Sequence, residues 1–147
     1  GPSLSYAVGV VQSGKFYLFS GRSYAPDKAM MEYTEGYVFE PDSKQWDKLT
    51  DTFPVMAGTA VPYENDKIIL LGGVEELLPT SPEHPGFSRK VRILSTETNR
   101  LIDTIDCPYP IPVTTNAVYT QDTVYIVSGE VQPGIRTPLI LKGIFRK

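Results

Sequence analysis

The sequence predicts an all-β chain of repeated four-stranded antiparallel sheets, on three observations. Nine Tyr, six Phe and thirteen Pro among 147 residues, with few helix formers in succession, favour half-buried pleated strands over helices. Internal repetition is the second. The segments SGKFYLFSGR (13–22), NDKIILLGGV (65–74) and QDTVYIVSGE (121–130) superimpose, each a turn, a short apolar or aromatic run and two small residues. Their terminal glycines, Gly21, Gly73 and Gly129, stand 52 and 56 residues apart. The third observation is a second alignment, of GYVFEPDSKQWDKL with KVRILSTETNRLIDTI, which sets Phe39 over Leu94 and Trp46 over Leu101, seven residues apart in each.

The elements of each unit, called a to d, follow from these alignments. Strand a is AVGVVQ, TAVPYEN or NAVYTQ, and the dipeptides Ser13-Gly14, Asn65-Asp66 and Gln121-Asp122 suit the tight hairpin into strand b. Strand b ends at the small pair. Strands c and d are the two arms of the second alignment, joined by Asp42-Ser43-Lys44 in the first unit and Glu97-Thr98-Asn99 in the second. The third unit has one strand, LILKGIF, after SGEVQPGIRTP and then no strand d. One domain of three units is expected, over about 4–53, 54–108 and 109–147.

Sheets of four strands repeating at about fifty residues, with a small pair closing strand b and Trp46 early in strand d, resemble the kelch repeat of β-propellers. That resemblance implies half of a six-bladed propeller, with the ring completed by a second copy of the chain or by a missing N-terminal half. Trp46 and the small pairs read as packing between blades.

Composition bounds the function. A net charge of −3 with scattered basic residues argues against nucleic acid, and no apolar run approaches the ~20 residues that span a bilayer. The Gly1-Pro2 start has no methionine and leaves room for a removed leader. Cys107 is the single cysteine, so no disulfide framework or thiolate metal cluster is expected, and no basic neighbour in sequence activates it. Phosphate-loop and nucleophile-elbow motifs do not occur in the sequence.

Chain direction in an up-and-down blade places b–c and d–a connections at one end. Here those are the long ones, Arg22 to Gly36 and Val74 to Lys90, together with the Pro-rich TDTFPVMAGT and DCPYPIPVTT. Elaboration is therefore expected around one mouth of a central channel, where ligand sites concentrate. The residue following each small pair, Arg22, Val74 and Glu130, should face that mouth, and Pro133-Gly134 should turn Arg136 back beside Glu130. Glu75, Glu76 and the lone His84 are expected on a mobile loop, His84 as an exposed residue outside any metal site.

The motif Gly129-Glu130-Val131-Gln132-Pro133-Gly134-Ile135-Arg136-Thr137 resembles that of the sialic acid mutarotases, or N-acetylneuraminate epimerases, especially their cyclically permuted relatives. This implies interconversion of N-acetylneuraminate anomers with Glu130 and Arg136 catalytic, Arg22 and Arg136 binding the sugar, and no metal or cofactor. It also implies a periplasmic or secreted location; without it, a cytoplasmic one is the default. Two other readings compete: a protein-interaction propeller, and a carbohydrate-binding propeller fragment without catalysis.

Overall fold

A computed structural model describes residues 3–26, 28–79 and 83–146. Thirteen strands and no helix are found among them. The first sheet is β1 (Val8–Gln12), β2 (Lys15–Ser23), β3 (Met31–Glu40) and β4 (Gln45–Thr52), antiparallel in that order. The second repeats it with β5 (Thr59–Tyr63), β6 (Lys67–Leu71), β7 (Lys90–Ser95) and β8 (Arg100–Asp106). The third contains β9 (Ala117–Thr120), β10 (Thr123–Val127) and β13 (Ile140–Ile144). A separate hairpin, β11 (Glu130–Gln132) and β12 (Ile135–Arg136), fills its b–c connection.

Left-handed residues close the a–b turns. Ser13 and Gly14 have φ of 53° and 72°, and Gln121 and Asp122 of 49° and 61°, as a two-residue hairpin between twisted strands requires. The β5–β6 turn is one residue longer than Asn65-Asp66 suggested. It includes Glu64 in the left-handed region.

Burial explains why the strands read differently. The middle sheet is packed on both faces, with Ile68 and Leu70 in the core shared with the first sheet and Ile69 and Leu71 in that shared with the third. Its strand b is accordingly a continuous apolar run. The flanking sheets are packed on one face, so Tyr17 and Phe19 are buried while Phe16 and Leu18 are not, and Val124 and Ile126 are buried while Tyr125 is half-buried. Trp46 departs from the expected packing between blades. It is 49% exposed on the free face of the first sheet, against Phe16 and Phe39, because no described sheet lies over that face.

Polar clasps tie neighbouring sheets together. Gln12 donates its amide to the carbonyls of Tyr63, Glu64 and Lys67, and the Tyr17 hydroxyl reaches Asn99 Oδ1 at 3.0 Å. Asp51 receives Arg100 Nε at 3.1 and 3.0 Å on its two oxygens, and the Leu101 N–H at 2.7 Å. Arg100 first, and the Leu101 amide second, hold the Asp51 carboxyl below its ordinary value. A carboxyl depressed by folding stabilises above its unfolded pKa of about 3.9, and that contribution disappears as pH falls through the lower folded value. Asp51→Asn is thus expected to lower stability by about 1 kcal/mol at neutral pH, Arg100 being largely solvent-screened, with the difference from the parent vanishing in acid. Urea unfolding across that pH range reads it.

Candidate functional site

The small pairs build the rim. Ser20, Gly72 and Ser128 have φ of 60°, 63° and 60°, and the glycines that follow, Gly21, Gly73 and Gly129, have 124°, 107° and 112°. In the second and third units the two successive left-handed residues swing the chain out of strand b and back against the preceding d–a loop; in the first they make a bulge within β2, which stays paired with β3 to Ser23. Arg22 then bridges Ser5, Val74 bridges Met56 and Glu130 bridges Val113. The glycine is required twice over at Gly129: its φ suits no other residue, and a Cβ would sit 2.7 Å from Pro112 Cβ and 2.8 Å from Thr115 Cγ2. Close approach is therefore to the loop of the same unit.

Beside each bridge stands a left-handed residue that is not glycine: Tyr6, Ala57 and Thr114, with φ of 60°, 60° and 54°. Backbone hydrogen bonds join them in series, the Ala57 N–H to the Tyr6 carbonyl at 2.8 Å and the Thr114 N–H to the Ala57 carbonyl at 2.9 Å. Such conformations cost about 1–3 kcal/mol each and gather at functional sites. With Arg22, Val74 and Glu130 these residues line one cavity of about 240 Å³, so the three position-matched residues do face a common space.

Within that cavity Glu130 is half-buried and held at both oxygens. Oε1 accepts the Gly134 N–H at 2.8 Å and Oε2 the Thr114 hydroxyl at 3.0 Å. Pro133 and Gly134, the latter at φ 74°, turn the hairpin so that Arg136 lies directly across from Glu130 in the β11–β12 pairing. Facing residues of an antiparallel pair share one side. The two charges nevertheless make no direct ion pair; Arg136 Nη1 instead donates to Thr114 Oγ1 at 3.2 Å. Arg136 itself is exposed, outside the lining of the cavity. Arg22 lies over the Tyr6 ring, 4.5 Å from its centroid, and donates to Met30 Sδ at 3.3 Å.

Other expected residues are placed differently. His84 is buried, 7% exposed, correcting the expectation of an exposed loop residue: its Nδ1 accepts the Gly86 N–H, its ring packs on Phe87 and its carbonyl accepts the Gln132 amide. Glu75 pairs at 2.8 Å with Arg92, which is 6% exposed on β7. Burial would raise the Glu75 carboxyl, but hydrogen bonds from Arg92 and Ser88 outweigh it and hold the group below its ordinary value. A lone arginine inside the apolar run KVRIL was the sequence signal for this pair. Burial first, then Asp106, pushes the Cys107 thiol up, away from a thiolate nucleophile. Among the described residues no cluster of three His, Cys, Asp or Glu is placed to hold a metal ion.

Comparison with known proteins gives the same direction. No family model matches the chain. It is 23% identical over 171 aligned residues to the N-acetylneuraminate epimerases of Yersinia pestis (strain Pestoides F) and Yersinia pseudotuberculosis serotype O:1b (strain IP 31758), covering 95% of this chain and 43% of theirs. The N-acetylneuraminate epimerase of Yersinia enterocolitica serotype O:8 matches at 23% over 167 residues. The chain thus spans less than half the length of these relatives. The solved structure of YjhT superimposes with a TM-score of 0.80 at 17% identity, over 97% of this chain and 49% of that one. By its sheets the chain shares the β-propeller fold of that structure over part of its length, and in sequence it is similar to the N-acetylneuraminate epimerases.

Proposed function

We propose that this rim binds N-acetylneuraminate and interconverts its anomers, with Glu130 moving the proton and Arg136 and Arg22 holding the sugar carboxylate. The observation that carries the proposal is the hairpin register that sets Arg136 across from Glu130, with the Thr114 hydroxyl bonded to both and Glu130 lining one cavity with Arg22.

Mutarotation of a 2-keto sugar breaks and reforms a hemiketal. The anomeric hydroxyl gives up its proton as the bond from that carbon to the ring oxygen breaks, and the ring oxygen takes a proton from water. The open-chain ketone rotates, and the same steps in reverse close the ring on its other face, so atoms and protons balance without a redox partner. A fixed carboxylate serves the anomeric hydroxyl as base and returns the proton on closure. Sialic acid carries a carboxylate on that same carbon. A guanidinium not already committed to a protein carboxylate can fork onto it and set the anomeric carbon beside Glu130. In this reading ring closure, by a second copy of the chain or by further blades, completes the opposite wall.

The intact protein is expected to accelerate exchange between the two anomers of N-acetylneuraminate, read by magnetisation-transfer NMR. Arg136→Ala should raise KM by about 10- to 100-fold, the worth of one charge-assisted hydrogen-bonded contact. Saturable sugar binding without accelerated exchange would instead favour the purely binding propeller.

A further inference from the structure

We infer that Thr114 is a positioning residue for this site: its hydroxyl sets the Glu130 carboxylate and the Arg136 guanidinium relative to one another. The inference rests on the proposed function above and extends it to a residue that the motif does not contain.

The directions of the two hydrogen bonds are fixed by chemistry. A guanidinium has donors only, so the Thr114 oxygen accepts from Arg136 Nη1 at 3.2 Å, and its single proton is left for Glu130 Oε2 at 3.0 Å. One hydroxyl thereby couples two charges that do not touch. With the Gly134 N–H on Oε1, it leaves the carboxylate little freedom to rotate.

The backbone at Thr114 strengthens the case. A β-branched residue at φ 54° is an outlier, and the equivalent positions show what the scaffold itself demands. Tyr6 and Ala57 adopt the same conformation in the same hydrogen-bonded series, and alanine has no polar side chain at all. The fold therefore requires a left-handed backbone here but no hydroxyl. A threonine in a conformation that suits it poorly, bridging the acid and the cation, points to function.

Three substitutions in the intact protein test this beside Glu130→Gln. Thr114→Val keeps the shape and removes the hydroxyl; kcat/KM for anomer exchange should fall about 10- to 100-fold, as for losing one hydrogen bond to a charged group. Thr114→Ser should recover activity to within about threefold of the parent on the same scale. Thr114→Gly suits the backbone, so it should lose activity as Thr114→Val does while its Tm equals or exceeds that of the parent. A merely structural role would make activity follow Tm across the series. Parental kcat/KM in the Val and Gly variants, where Glu130→Gln has lost it, would overturn the inference and leave the function standing. If Glu130→Gln is itself unaffected, the proposed function fails, and Thr114 is then judged by Arg136 guanidinium proton exchange in NMR. Exchange slowed in the parent and Ser variant but fast in Thr114→Val supports the coupling; identical exchange in all three refutes it.

Discussion

Glu130→Gln is expected to slow anomer interconversion by about 10²- to 10⁴-fold, the range for removing a general acid or base, while the protein stays folded. Glutamine matches the shape of glutamate. Its amide oxygen can keep one of the two donors that the carboxylate satisfies, the Gly134 N–H or the Thr114 hydroxyl. The hydroxyl can rotate to accept from the amide nitrogen, so neither partner is stranded. The amide has no basicity near neutral pH, so only the chemical step is removed. Magnetisation-transfer NMR gives the rate, and titration calorimetry with N-acetylneuraminate separates turnover from affinity. A parental rate in Glu130→Gln would dismiss this carboxylate as the base.

Phe53→Ala is expected to cost about 3–5 kcal/mol, the usual range for truncating a buried aromatic. Phe53 is fully buried in the core shared by the first two sheets, 4.8 Å from the Phe19 ring centroid. Its ring fills the space left by Gly36, where a Cβ would come within 2.6 Å of it. Because Phe53 opens the segment that runs through Val55 and Met56 to Ala57, truncation should also loosen the rim. A shift of the urea midpoint at constant slope measures the loss; a change under about 1 kcal/mol would mean that this loop is not anchored by its aromatic residue.

The repeats made the sheets legible. Three superimposable hairpins and two second hairpins specify strand order and turn positions, since a strand's two-residue period and a short turn leave little choice of register. They also placed Arg22, Val74 and Glu130 at matched positions. Thr114 was not legible, because its hydroxyl reaches Glu130 and Arg136 only from a left-handed backbone that no threonine announces in sequence. His84 was misjudged for a related reason: its burial depends on Phe87 and on Gln132 of the next unit, contacts 3 and 48 residues away. Trp46 was expected between blades on its repeat position alone, whereas burial depends on whether a neighbouring sheet lies over it.

The serial link from Tyr6 through Ala57 to Thr114 has an entropic consequence. Loops that hold one another by their main chains cannot wander separately, so the mouth acts as a stiff collar. The freedom of its donors and acceptors is surrendered when the chain folds, and any ligand that docks there has correspondingly less disorder to remove.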